Sequence, residues 1–207
     1  MASLLSVQAS PRGSTSISRA LSEIFEKEWL RLNVGGRVVR RDLMSSGIPY
    51  MDLDWIAGIY APPHVERTED MHKALALSEE LIDEVRSADR ILIGTPMYNY
   101  SVPAVLKSWI DYIVRPGFTF ALAPGWPGLL SDRPVNVLVA ARDEYDPEQL
   151  EELDALTPVI RHAFAFMGVS DVRSLIAGGS LGVNRGAVAL ADHLAKFTDA
   201  VLFAANG

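Results

Sequence analysis

The sequence predicts an α/β fold: a three-layer sandwich with a five-stranded parallel sheet covered by helices on both faces. Three observations carry this. Short apolar, β-leaning runs alternate with amphipathic helical stretches along the whole chain. The 207 residues, 49% of them apolar, suffice for one domain whose sheet is buried on both sides. Polar or glycine- and proline-containing segments fall where strands end and helices begin.

The first strand spans Ser3 to Ala9, close to the start of the sequence. Ser10 to Ser18 follows, with five hydroxyls in nine residues (Ser10, Ser14, Thr15, Ser16, Ser18), the lone cation Arg12 and Gly13 for backbone freedom. A helix with Ala20, Leu21, Ile24, Phe25 and Trp29 then runs to Leu32. The hydroxyl loop thus opens a helix, where amide N–H groups and the helix dipole favour an anion. A serine cap, by Ser14 or Ser16, is the simpler reading, but one cap needs one hydroxyl. The loop lacks Gly-Lys-Ser/Thr and has one glycine where a dinucleotide fingerprint has three. One phosphate held by hydroxyls points to a mononucleotide such as FMN.

Gly36 to Leu43 reads as the second strand. From about residue 44 to 69 the text is irregular, with Gly47, Pro49, Gly58, Pro62 and Pro63, yet Trp55, Ile56, Ile59 and Tyr60 make it apolar. A long loop of this kind suits a lid or a partner contact. A helix follows from Glu69 to Arg86. The third strand, Ile91 to Ile93, breaks at Gly94-Thr-Pro96, because proline cannot donate to a ladder. Met97, Tyr98, Asn99 and Tyr100 then crowd into a loop before Pro103 opens a helix with Val105, Leu106, Trp109, Ile110 and Ile113 on one face. Flat, soft and amide groups at a strand end suit a flat heteroaromatic ligand.

Residues of about 115 to 130 form an aromatic loop, with Phe118, Phe120 and Trp126 among prolines and glycines. Pro134 to Ala141 is the fourth strand, and one helix is expected from Asp146-Pro147 to Met167. Asp171 to Ala177 is the fifth strand, Gly178 to Gly182 a flexible turn, and Val183 to Phe203 the last helix. Residues 1–207 read as a single domain. In the flavodoxin-like order 2-1-3-4-5, the switch point falls between strands one and three. The hydroxyl loop and the aromatic loop follow those two strands, so both meet at one crevice.

The net charge of −7 with no basic stripe argues against a nucleic-acid partner. The absence of cysteine removes disulfides, thiolate metal sites and a cysteine nucleophile. The four histidines form no ligand set, so no metal is expected. No apolar run approaches the ~20 residues that span a bilayer. Neither a secretory start nor a membrane partner is read, and a cytoplasmic protein is expected.

With these residues in place, the chain resembles the FMN-dependent NADH:quinone oxidoreductase/azoreductase family of flavodoxin-like quinone reductases. Three segments carry the resemblance: Ser10 with Ser14-Thr-Ser-Ile-Ser18; Pro96-Met-Tyr-Asn-Tyr-Ser-Val-Pro-Ala-Val-Leu-Lys-Ser-Trp-Ile-Asp111; and Arg115-Pro-Gly-Phe-Thr-Phe120. The resemblance implies FMN as cofactor, with NADH or NADPH as co-substrate and a quinone or azo compound, a small aromatic electron acceptor, reduced in a ping-pong cycle. It implies a homodimer. It also implies that Ser10, Ser16, Ile17 and Ser18 bind the phosphate and that Pro96, Met97, Tyr98, Asn99 and Tyr100 wrap the ring, with Ala141 and Arg142 beside it. Tyr100, Phe118 and Phe120 would form the substrate wall.

The match departs after the fourth strand. Where the family has Ser-Arg-Gly-Gly and a histidine, this chain has Ala141-Arg-Asp-Glu-Tyr145. A hydroxyl and two glycines are replaced by bulk and two carboxylates, which oppose negative charge on a reduced flavin. The flavin would carry the hydride, so no side chain is an essential catalyst; Tyr145, Asp143 and Glu144 are candidates for proton exchange. Two alternatives stay open: a flavin electron carrier, and a relative recruited to a specialised, biosynthetic reaction with altered or lost FMN use.

Overall fold

The computed structural model describes every residue except Pro62 and Pro63, so the reading of those two as loop prolines lies outside the described residues. Five strands, β1 Ser3–Gln8, β2 Arg37–Asp42, β3 Arg90–Pro96, β4 Val135–Ala140 and β5 Val172–Ala177, form one sheet in the order β2-β1-β3-β4-β5. All neighbouring strands are parallel. Eight α-helices lie among the described residues: α1 Ile17–Leu32, α2 Leu53–Tyr60, α3 Glu69–Ser87, α4 Ala104–Ile113, α5 Pro147–Leu153, α6 Leu156–Phe166, α7 Ser180–Asn184 and α8 Leu190–Asn206.

Side chains alternate along each strand and so divide between two cores. Leu4, Leu92 and Leu138 face α1 and α8, where they meet Leu21, Phe25, Trp29 and Val201. Leu5, Val7, Ile91, Ile93, Val135 and Val137 face the other layer, with Trp55, Leu81, Trp109, Ile113, Ile160 and Phe164. The central strands are buried on both sides, which is why they read as continuous apolar runs.

Four elements depart from expectation. β3 continues through Pro96, which pairs with Ala140. Met97 N–H donates to Ala140 and Gly94 carbonyl accepts from Ala9, so by alternation the missing donor of Pro96 faces the side where β1 has already ended. The stretch 44–69 is not wholly irregular: Asp52 caps α2 by accepting from Trp55 N–H at 2.8 Å, and Trp55 is buried. The helix expected from Asp146 to Met167 is two helices, α5 and α6, broken at Asp154 and Ala155. Pro158 is the reason, since its ring excludes the carbonyl of Asp154 and is tolerated only in a first turn. Finally, the turn expected at Gly178 to Gly182 contains the start of α7, and α8 begins at Leu190 rather than Val183.

Candidate functional site

A cavity of ≈ 540 Å³ opens at the carboxyl ends of β1, β3 and β4. That volume is within the range of small-ligand sites, and the position is the switch point of the sheet. Ser10, Ser16, Ile17, Ser18, Pro96, Met97, Tyr98, Asn99, Tyr100, Arg142, Asp143 and Tyr145 all line it. The hydroxyl loop and the aromatic loop therefore do share one crevice.

The β1–α1 loop is firmly built. Ser10, Ser16 and Ser18 are all buried, and the hydroxyls of Ser16 and Ser18 lie 3.2 Å apart. Ser16 accepts from Arg19 N–H at 3.3 Å and so caps α1 while it also lines the cavity. The first-turn N–H groups of Ile17 and Ser18 have no carbonyl one turn back within the helix. Arg19, which the sequence reading passed over, turns away from the cavity and holds the loop from behind. Its guanidinium donates to the Ser10 carbonyl and to Asp42, each at 2.7 Å. Arg12 lines the cavity and donates to the side chain of Asn184 on α7. Ser14 and Thr15 are exposed and do not line it.

The β3–α4 loop is a tight reverse turn. Tyr98 and Ser101 exchange both backbone hydrogen bonds, at 3.1 and 3.0 Å, around Asn99 (φ 49) and Tyr100 (φ 65). Two consecutive left-handed residues define a primed turn, which asparagine tolerates and tyrosine does not readily adopt. Tyr98 and Tyr100 stay half-exposed, at 44% and 46%. The Tyr100 carbonyl accepts from Ala155 N–H at 2.9 Å, in the break between α5 and α6.

The β4 end is tied to the segment after β5. Ser180 N–H donates to the Ala141 carbonyl at 3.0 Å, and Leu181 N–H to that of Arg142 at 3.1 Å. Ala141 is fully buried and does not line the cavity; its neighbour Ala140 does. Arg142 and Asp143 pair at 3.6 Å with both side chains more than half exposed, so solvent screens much of their attraction. Burial raises the Tyr145 phenol above its ordinary value, and Asp143 and then Tyr100 add to this; only Arg142 opposes it. The phenol therefore keeps its proton at neutral pH.

Besides Ala141, three predicted site residues lie elsewhere. Glu144 does not line the cavity but points to Lys196 at 3.6 Å and packs against Gly179. Phe118 sits over the buried Arg115 guanidinium, 4.1 Å from its ring centre, and beside Arg86. Phe120 is buried against Phe166, with ring centres 4.5 Å apart. Both phenylalanines pack within their own loop, and within one chain neither lines this cavity. Conversely, Ser180, Leu181 and Asn184 line it and were missed, because glycine-rich text before them reads as a turn. Among the described residues no cluster of three metal-ligating side chains occurs, and no helix is long and apolar enough to cross a membrane.

Sheet order and site position define a class, and comparison with known proteins defines it further. The flavodoxin-like fold family matches residues 2–201. An FMN-dependent NADH:quinone oxidoreductase of Burkholderia lata is 39% identical over 198 residues, covering 95% of this chain and 93% of its own. One of Jannaschia sp. is 35% identical over the whole of both chains. Among solved structures, an azoreductase from Bacillus anthracis superposes with a TM-score of 0.87 at 26% identity, covering 100% of this chain and 99% of its own. The chain thus has a flavodoxin-like fold and belongs to the FMN-dependent NADH:quinone oxidoreductase family.

Proposed function

We propose that this chain is an FMN-dependent oxidoreductase that moves a hydride from NADH to a quinone or azo compound, a small aromatic acceptor. The observation that carries this reading is the single cavity in which a hydroxyl-and-amide end and a flat, aromatic-and-amide end adjoin. The donor chemistry fits a flavin mononucleotide. Ser10, Ser16 and Ser18, with the N–H groups of Ile17 and Ser18, would hold the phosphate, and Arg12 would add charge. Pro96, Met97, Tyr98, Asn99 and Tyr100 would receive the ring. The family membership and the names of the relatives support FMN and NADH.

When bound, FMN supplies the two-electron relay between nicotinamide and acceptor. The chain's own work is to bind, orient and hold a proton. Tyr100 would form the acceptor wall, while Phe118 and Phe120 keep the loop after α4 in place. Acceptors that take a hydride also need a proton, and Tyr145 holds one at its phenol oxygen on the cavity wall. Asp143 opposes negative charge in the same place, and Arg142 offsets part of that.

The reading includes a homodimer. Leu53, Ile56 and Tyr60 on α2 are exposed, at 79%, 44% and 66%, while Trp55 and Gly58 face inward. Such an apolar outer face suits burial against a second copy. NADH is a cytosolic reductant, so a cytoplasmic location belongs to the same reading.

The test is direct. Purified protein should be yellow, or turn yellow with added FMN, and mass spectrometry of the released ligand should identify FMN. Menadione should accelerate NADH oxidation. A preparation that takes up no flavin sinks the reading; one that binds FMN but turns over no acceptor is an electron carrier instead.

A further inference from the structure

The break between α5 and α6 has no counterpart in the apolar pattern of that segment, and its consequence reaches the cavity. In an unbroken helix, Ala155 N–H would bond to the carbonyl of Glu151. Pro158 prevents that continuation. Asp154 then stabilises the restart: one carboxylate oxygen accepts from Leu156 N–H at 2.8 Å and Thr157 N–H at 3.0 Å, and the other from the Thr157 hydroxyl. Ala155 N–H, set free, donates to the Tyr100 carbonyl.

Tyr100 is the residue of the turn that most needs support. It holds a left-handed backbone without being glycine, beside Asn99 in the same state. Such conformations cost about 1–3 kcal/mol each and persist only where the surroundings enforce them. Within the turn, the Tyr98–Ser101 bonds leave the Tyr100 carbonyl free to point outward, and the Ala155 amide meets it.

We propose that Asp154 and Pro158 are positioning residues for the cavity. They create the helix break that presents Ala155 N–H to Tyr100 and so hold Tyr98, Asn99 and Tyr100 where the ligand packs. The assignment rests on the flavin reading only for the identity of that ligand. It makes a helix-stopping proline a determinant of binding on a loop more than fifty residues earlier in the sequence.

Hydrogen–deuterium exchange on the full chain, with and without FMN, tests the coupling. Asp154→Ala should speed exchange in residues 97–103 as well as at the start of α6. Asp154→Asn, which retains the Oδ1 acceptor, should restore most of the protection. Pro158→Ala should let α5 and α6 merge, leaving the melting temperature equal or higher. FMN, followed by quenching of its fluorescence, should nonetheless bind about two- to tenfold more weakly, as expected for one lost hydrogen bond. Unchanged exchange at 97–103 in Asp154→Ala overturns the proposal, as does unchanged FMN affinity in a well-folded Pro158→Ala protein. Coupled exchange in a chain that binds no FMN would support the positioning role and refute the flavin reading.

Discussion

Gly94 on β3 and Ser22 on α1 approach so closely that a Cβ on Gly94 would stand 2.4 Å from the Ser22 hydroxyl oxygen. The same carbon would lie 2.4 Å from the side-chain oxygen of Gln8, which is buried. Ser22 in turn donates to the Ser18 carbonyl at 2.9 Å, so the contact sets the height of α1 above the sheet. Gly94→Ala should therefore cost about 1–3 kcal/mol, the usual range for overpacking. It should also weaken FMN binding by displacing Ser18. Urea denaturation and flavin titration of the same variant measure both effects.

Ser16 and Ser18 separate two roles that overlap in one loop. Ser16→Ala removes a helix cap and should lower stability by about 1 kcal/mol along with FMN affinity. Ser18→Ala leaves the cap intact and should reduce FMN affinity with little change in melting temperature. Riboflavin, which lacks the phosphate, should bind both variants nearly as well as the parent. Equal losses for riboflavin and FMN would show that the hydroxyls do not face a phosphate.

Asp143→Asn removes a carboxylate from the cavity wall and leaves Arg142 without its partner there. Negative charge gathered on reduction should then be better tolerated, and the midpoint potential of the bound flavin should rise. Screening limits the shift to on the order of 10 mV. Potentiometric titration of the two proteins reads it; a fall would mean that Asp143 mainly orders Arg142.

His193 gives a pH dependence. It is buried on α8, and its Nε2 has no hydrogen-bond partner among the described residues. Burial, with Lys196 next, pulls its pKa below the ordinary value, while Glu144 opposes this. The unfolded chain accordingly takes up the proton first, at about pH 6.5. Stability should be complete above that pH and decline as pH falls toward the folded value, by at most about 1.4 kcal/mol per pH unit. The urea midpoint should drop between pH 7.5 and 5.5, and His193→Gln should flatten the slope.

The outer face of α2 offers a test of assembly. Leu53→Glu with Ile56→Glu should convert a dimer into a monomer by size-exclusion chromatography with light scattering, without unfolding it. Both side chains already meet solvent in the single chain, so the pair should leave its core intact.

Strand order, the two loops at the crevice and most lining residues were legible, because they depend on local patterns. Ser16 and Asn99 each announce a cap or a turn, and parallel connectivity then brings them together. What was not legible depended on distant partners. For Phe118 and Phe120 the sequence shows aromaticity but not that one packs on Arg115 and the other on Phe166 within the chain. Ala141 is turned inward and Glu144 toward Lys196, directions that follow from the ties of this turn to Ser180, Leu181 and α8. Pro158 is visible in the sequence, but the helical period runs on across it. Asn184 joined the site through α7, hidden behind Gly178 and Gly179.

Those two glycines carry a further consequence. A side chain at position 178 would collide with the Asp143 carbonyl at 2.6 Å, and one at 179 with the Glu144 carboxylate at 2.9 Å. Gly178 thus makes room for the backbone that leaves one strand, and Gly179 for the Glu144 side chain carried on the same turn. The turns behave as lock and ward: grafting either into a relative alone should jam or gape, whereas transplanting both together should preserve the seam.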